Sequence, residues 1–172
     1  MEQKVIVMSG LPGSGKSTVA EGIATKLHFP LFSVDPITSA ILESGIDKGF
    51  ETGLAGYQVA KVLAAEQLKL GNSVIIDAVN AEEEGKDMWR SLAREYKVPL
   101  VIIETALDES VHKKRIESRV RYLHGMSEET WDGVIKRREV YTQWKEPVLR
   151  LDTALALDAN IDAALKHLGS FS

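Results

Sequence analysis

The chain has 172 residues, 44% of them apolar, with 21 Lys and Arg against 25 Asp and Glu, a net charge of −4 and no cysteine. That size suits a single domain over residues 1–172 with a sizeable core, and the missing cysteine excludes disulfides, a thiol nucleophile and any Cys-based metal site. The acidic balance gives no general attraction for nucleic acid or anionic membrane, and no apolar stretch approaches the length of a membrane span, so a cytoplasmic protein with a local basic site is expected.

In chain order, KVIVM at 4–8 reads as a strand, followed by the glycine-rich loop SGLPGSGKST at 9–18 and a helix over 16–28 whose Val19, Ala20, Ile23, Ala24 and Leu27 share a face. LFSV at 31–34 is a second strand, with a short helix from Pro36. After the connection SGIDKGFETG, a long helix is predicted from Leu54 to Leu70, ending at Gly71. SVIID at 73–77 is the third strand. A helix over 82–97 stops before Val98-Pro99, and LVIIETA at 100–106 is the fourth strand. The remainder predicts a helix from Glu109 through Arg121, a turn at His124-Gly125, a helix from Ser127 to Lys145, the strand VLRLD at 148–152 and a closing helix from Asp158 to Leu168. Five apolar strands alternating with helices predict an α/β fold of three layers, a five-stranded parallel sheet with helices on both faces. Ligands of such sheets bind beyond the carboxyl ends of the strands, so the residues just after each strand are the candidates.

After the first strand, Gly10, Gly15, Lys16 and Ser17 satisfy the phosphate-loop pattern G-x-x-x-x-G-K-[ST], in its required context between a strand and a helix. Glycines at 10, 13 and 15 let successive N–H groups turn inward as an anion nest, so Gly10, Leu11, Pro12, Gly13, Ser14, Gly15, Lys16, Ser17 and Thr18 are the candidate nucleotide cradle. Lys16 is placed to reach the β- and γ-phosphates, and the Ser17 hydroxyl is a hard oxygen ligand suited to Mg²⁺. Asp35 follows strand two, either as a helix N-cap before Pro36 or as a base for an acceptor hydroxyl. Asp77 closes an apolar strand, as in the strand that supplies an Mg²⁺–water contact beside phosphate loops. Asn80 either orients the acceptor or holds its own turn. Arg115 and Arg119, four apart with Arg121 beyond, and then Lys136, Arg137 and Arg138, suggest a lid over about 115–138 closing on phosphates. The four histidines show no metal spacing, and the three tryptophans are expected to pack in helices.

Together the phosphate loop, FSVDPI, GNSVIIDAVN, the W-R-x-L-A run at 89–93, the Arg115 and Arg119 pair and LDT at 151–153 resemble the small ATP-dependent phosphoryl transferases related to chloramphenicol phosphotransferase and the kinase domain of polynucleotide kinase. The resemblance implies a P-loop NTPase fold with a helical lid, and transfer of the γ-phosphoryl of Mg-ATP to a hydroxyl. It would make Lys16 and Ser17 the phosphate and Mg²⁺ ligands, Asp35 the acceptor's base, and Arg115 and Arg119 the cover over the nucleotide and its phosphates, so that Lys16, Asp35 and Arg119 are the expected catalytic residues; Asp77, read from its strand end, joins Ser17 on the Mg²⁺ side. Two departures leave the acceptor open. PITSAILES at 36–44 lacks the basic residues that polynucleotide kinases carry there, and DAVNA replaces the adenylate-type D-G-F/Y-P-R signature. A small hydroxyl-bearing molecule is the expected acceptor; a 5′-end polynucleotide kinase and a non-catalytic nucleotide switch are the alternatives.

Overall fold

A computed structural model describes residues 2–171. Strands β1 (Val5–Ser9), β2 (Leu31–Ser33), β3 (Val74–Asp77), β4 (Leu100–Ala106) and β5 (Val148–Asp152) form one sheet in the order β2-β3-β1-β4-β5, every pairing parallel. Because side chains alternate along a strand, β1 sends Val5 and Val7 to one face and Ile6 and Met8 to the other. The first face packs on α3 (Phe50–Lys69) and α4 (Glu83–Tyr96) around Trp89, Leu92, Ala60 and Ala64. The second packs on α1 (Lys16–Leu27) and α7 (Leu157–Gly169) through Val19, Ile23, Ala164 and Leu168. This is the predicted P-loop fold, with apolar strands buried on both sides.

Two buried lysines fasten the periphery. Lys4 donates from Nζ to Leu168 O (3.1 Å) and Phe171 O (3.3 Å), placing a cation at the negative end of α7. Lys86, on α4, is fully buried, donates to the Thr142 carbonyl and hydroxyl, and lies over the Tyr141 and Trp144 rings.

Four elements differ from expectation by more than one residue. Helix α2 (Val34–Glu43) starts with Ser33 at the N-cap, so Asp35 lies in the first turn and is not the cap; Pro36 fits there because a first-turn N–H needs no partner. Helix α3 begins at Phe50, earlier than predicted. Helix α5 (Glu109–Ser118) ends before Arg119, whose backbone is extended, and Tyr122 takes a left-handed conformation (φ 53°). The next helix, α6, is only Trp131–Glu139, begun by a Thr130 side chain that accepts from Gly133 N (3.1 Å). Beyond it the chain is irregular up to β5, because tertiary bonds outweigh helix propensity. Tyr141 joins Ser9 and Glu104, Trp144 donates to Ser9, and Arg90 holds Glu146 through two hydrogen bonds. Trp144 is therefore not in a helix, although it is buried as predicted for a packing residue.

Candidate active site

The parallel topology delivers the ends of β1, β3, β2 and β5 to one rim, with Met8 level with Asp77, and Asp77 level with Ser33. There a cleft of about 540 Å³ is lined by Pro12, Gly13, Gly15, Lys16, Ser17 and Thr18 of the loop, by Asp35 and Asp77, and by Arg115, Arg119 and Arg121. The expected site residues thus converge, with one division. Gly10, Leu11 and Ser14 face a second cavity on the opposite side of the loop.

The loop is held in shape from behind. Gly10 (φ 133°) sits against β4, where a Cβ would lie 2.5 Å from Thr105 O and 2.9 Å from Ser14 Oγ. Gly13 (φ 76°) lies beneath the Ile116 side chain of α5, with no room for a Cβ. Ser14 Oγ and Thr105 Oγ1 are 2.7 Å apart, and the Thr153 hydroxyl donates to Ser14 O (2.6 Å). Arg115 in turn donates to Thr153 Oγ1 (3.3 Å) and Thr153 O (3.1 Å), so the arginine expected to touch nucleotide is anchored to β5 and the loop at once.

Lys16 is buried and donates weakly to Leu11 O (3.5 Å). Burial lowers its pKa from 10.5, opposed chiefly by Asp77 and then by Asp35. An ammonium destabilised by desolvation, with two carboxylates nearby, is poised to be stabilised by an incoming anion. Asp77 is 5% exposed, and its Oδ1 is a buried oxygen with no hydrogen-bond partner among the described residues. A hard, orphaned oxygen lining the same cleft as the Ser17 hydroxyl fits a magnesium-water contact.

Asp35 reaches the cleft paired to Arg121, with Arg121 Nη1 2.5 Å from Asp35 Oδ2. Two further contacts place the segment expected to form a lid on α2: Ser39 Oγ donates to His124 O (3.1 Å), and Gly125 lies against Leu42, where a Cβ would meet Leu42 Cβ at 3.0 Å. Asp35, Ser39 and Leu42 are at helical spacing on one face of α2, so the segment 121–125 docks along that face of α2 while Arg121 also lines the cleft. Arg121 and Arg137 line a recess of about 70 Å³ beside the start of α2, together with Asp35, Glu128 and Glu129. Arg138, by contrast, turns away to Glu109 (2.9 Å). Replacing Arg121 with glutamine is expected to speed amide exchange at 122–126 in the ligand-free protein roughly two- to fivefold, the scale of one partly exposed ion pair. Unchanged exchange, read by mass spectrometry, would leave Ser39 and Leu42 as the whole attachment.

Asn80 holds its own turn. With φ 53°, it donates to Met8 O (2.8 Å) and Ala78 O (3.3 Å) and accepts from Trp89 Nε1 (2.8 Å), which commits both of its N–H groups within the fold, and at 1% exposure it is outside the cleft lining. The sequence alone assigns no site role to Thr153 or His112, and none to Arg121 beyond its place in a basic run. Their signals, a threonine after an edge strand and a lone histidine on a polar helix, acquire meaning only from tertiary position. His112 is 3% exposed and 2.7 Å from Pro12 O through Nε2. Burial depresses its pKa below 6.5, with Arg138, Arg115 and Lys16 adding to the effect. A depressed pKa means the unfolded chain binds the proton more tightly, so His112's contribution is complete above about pH 6.5 and is lost as pH falls below it. Urea midpoints of the wild type should therefore fall more between pH 7.5 and 5.5 than those of His112→Gln; parallel declines would contradict this.

A phosphate loop at the first strand, an acidic residue closing the adjacent strand and three arginines lining the same cleft define the class of P-loop phosphate-binding domains. The profile of the AAA_33 family, an AAA domain, matches residues 5–141, and the chain belongs to that family. The bifunctional polynucleotide phosphatase/kinase of Schizosaccharomyces pombe is 30% identical over 122 residues, 71% of this chain; the chain matches only 25% of that protein's length. Adenylate kinase 1 of Schistosoma mansoni is 27% identical over 98% of this chain and 94% of its own. The crystal structure of a gluconokinase from Sinorhizobium meliloti superposes with a TM-score of 0.71 at 20% identity, covering 97% of this chain and 92% of that one. Each of these three is named as a kinase, for a polynucleotide, for adenylate and for gluconate.

Proposed function

We propose that the protein is a kinase that transfers the γ-phosphoryl group of Mg-ATP to the hydroxyl of a small, not strongly anionic molecule. The carrying observation is the meeting of Lys16, Asp77 and Asp35 in one cleft beneath the lid arginines. In this reading the loop N–H groups and Lys16 bind the β- and γ-phosphates, Arg115 and Arg119 cover them, and Ser17 and Asp77 hold the metal. Mg²⁺, when bound, neutralises charge on the β- and γ-oxygens. Asp35 orients the acceptor hydroxyl and takes its proton as that oxygen bonds to γ-phosphorus and the bond to the β-phosphate oxygen breaks, leaving ADP. Lid closure keeps water from competing as acceptor.

The acceptor's charge is argued from the recess under the lid. The absence of Lys and Arg in PITSAILES does not by itself make that side free of cations, because the lid brings Arg121 and Arg137 to it; three carboxylates, Asp35, Glu128 and Glu129, outnumber them. Such a wall does not favour a polyanion. A second reading, phosphorylation of a nucleic-acid 5′ hydroxyl, is favoured by the name of the fission-yeast relative. Labelled ATP offered with sugars, sugar acids, nucleosides, hydroxyl-bearing antibiotics and oligonucleotides with free 5′ hydroxyls tests both. Transfer to a small molecule supports the first reading. Transfer only to oligonucleotides, with affinity falling steeply in salt, replaces it with the second.

A further inference from the structure

We propose that His112 is a positioning residue for the nucleotide phosphates, acting through the Pro12–Gly13 peptide; the inference rests on reading the loop as the ATP-phosphate site. A carbonyl oxygen can only accept, so at 2.7 Å from Pro12 O the His112 Nε2 must carry the proton and donate. A trans peptide is planar, with its C=O and N–H pointing in opposite directions. Holding the Pro12 carbonyl toward α5 therefore turns the Gly13 N–H away from α5. Gly13 lines the phosphate cleft, and its N–H has no acceptor among the described residues. Pro12 supplies no N–H of its own, which adds weight to the one that follows it.

The rest of the surroundings fix this peptide from the same side. Ile116, one turn along α5, covers Gly13 where a Cβ would sit and keeps it at φ 76°. The imidazole is itself held edge-to-face by Trp131 of α6, centroids 5.5 Å apart. Arg138 lies over that indole at 5.6 Å and is tied to Glu109 of α5. The lid helix α6 thus bears on the phosphate loop through one histidine. An apolar side chain of the same size could fill this space, but it could not orient the peptide. That difference makes the role testable.

Calorimetric titration of wild type, His112→Leu and His112→Gln with Mg-ATP, Mg-ADP and AMP separates peptide orientation from packing. Loss of one oriented donor should weaken ATP and ADP binding roughly tenfold in the leucine variant while leaving AMP nearly unchanged, and glutamine, which retains an N–H donor, should recover most of the loss. Leucine binding ATP as the wild type does, equal losses on AMP, or glutamine as poor as leucine would each overturn the proposal. Should the leucine variant not fold, ring ¹⁵N shifts of the wild type decide: protonation at Nε2 with and without ATP is expected, and a neutral ring protonated at Nδ1 overturns it. A wild type that binds no ATP strikes the reading of the loop itself. Normal wild-type binding with an unaffected leucine variant removes only His112.

Discussion

Lys16→Ala is expected to abolish most of the thermal stabilisation that Mg-ATP confers, with little loss of melting temperature in the free protein. At ligand one hundred times its dissociation constant, mass action adds about 2.7 kcal/mol, which for a chain of this length is a shift of roughly 5–10 °C. In the free protein Lys16 is a buried cation whose pKa burial has lowered, and its one hydrogen bond, to Leu11 O, is long at 3.5 Å. Deleting it removes a desolvated charge that contributes little until an anion arrives. The cost to the free state is the carboxylate of Asp77, left with one fewer neighbouring cation. Differential scanning fluorimetry with and without Mg-ATP reads both numbers, and a variant that shifts as far as the wild type would remove Lys16 from the phosphate site.

How much of this was legible in the sequence follows from what each signal depends on. The phosphate loop was readable because its chemistry is local: the glycines, Lys16 and Ser17 act within one strand-to-helix turn. The sheet was readable because apolar runs bounded by turns survive any tertiary detail, and β4 and β5 have the predicted bounds. The course of the segment expected to form a lid was not. Helical spacing carried α5 to Arg121 and α6 to Lys145, but the chain leaves the helix where better partners lie far away in sequence: Asp35 for Arg121, Lys86 for Thr142, and Ser9 for Trp144. The same limit hid the charge around Asp35, which comes from Arg121, Glu128, Glu129 and Arg137, all far beyond α2 in sequence. Asp77 shows the converse. Its place at a strand end was legible, while the unpartnered oxygen that fits it to a metal–water shell required the packed core around it.

The largest loss of activity is expected from Asp35→Asn, and the structure sharpens what that variant means. Asp35 is not the N-cap of α2, a position held by Ser33, so the loss of a cap does not confuse the result. Its Oδ2 is engaged by Arg121, which leaves Oδ1 for an acceptor hydroxyl. Asparagine keeps the size and one carbonyl oxygen but cannot take a proton, and a positioned base is worth on the order of 10²- to 10⁴-fold in rate. The variant should fold, bind Mg-ATP like the wild type and lose transfer by that factor at saturating acceptor. It also breaks the ion pair to Arg121, so lid exchange at 122–126 should rise just as it does in Arg121→Gln. Comparing the two variants separates the roles of the carboxylate. If Asp35 serves only to dock the lid, both variants lose activity to the same extent, and restoring lid closure with saturating nucleotide rescues both. If Asp35 is the base, Asp35→Asn stays impaired at saturating nucleotide and acceptor while Arg121→Gln recovers. Near-wild-type transfer by Asp35→Asn would return the residue to lid docking and leave the proton to another acceptor.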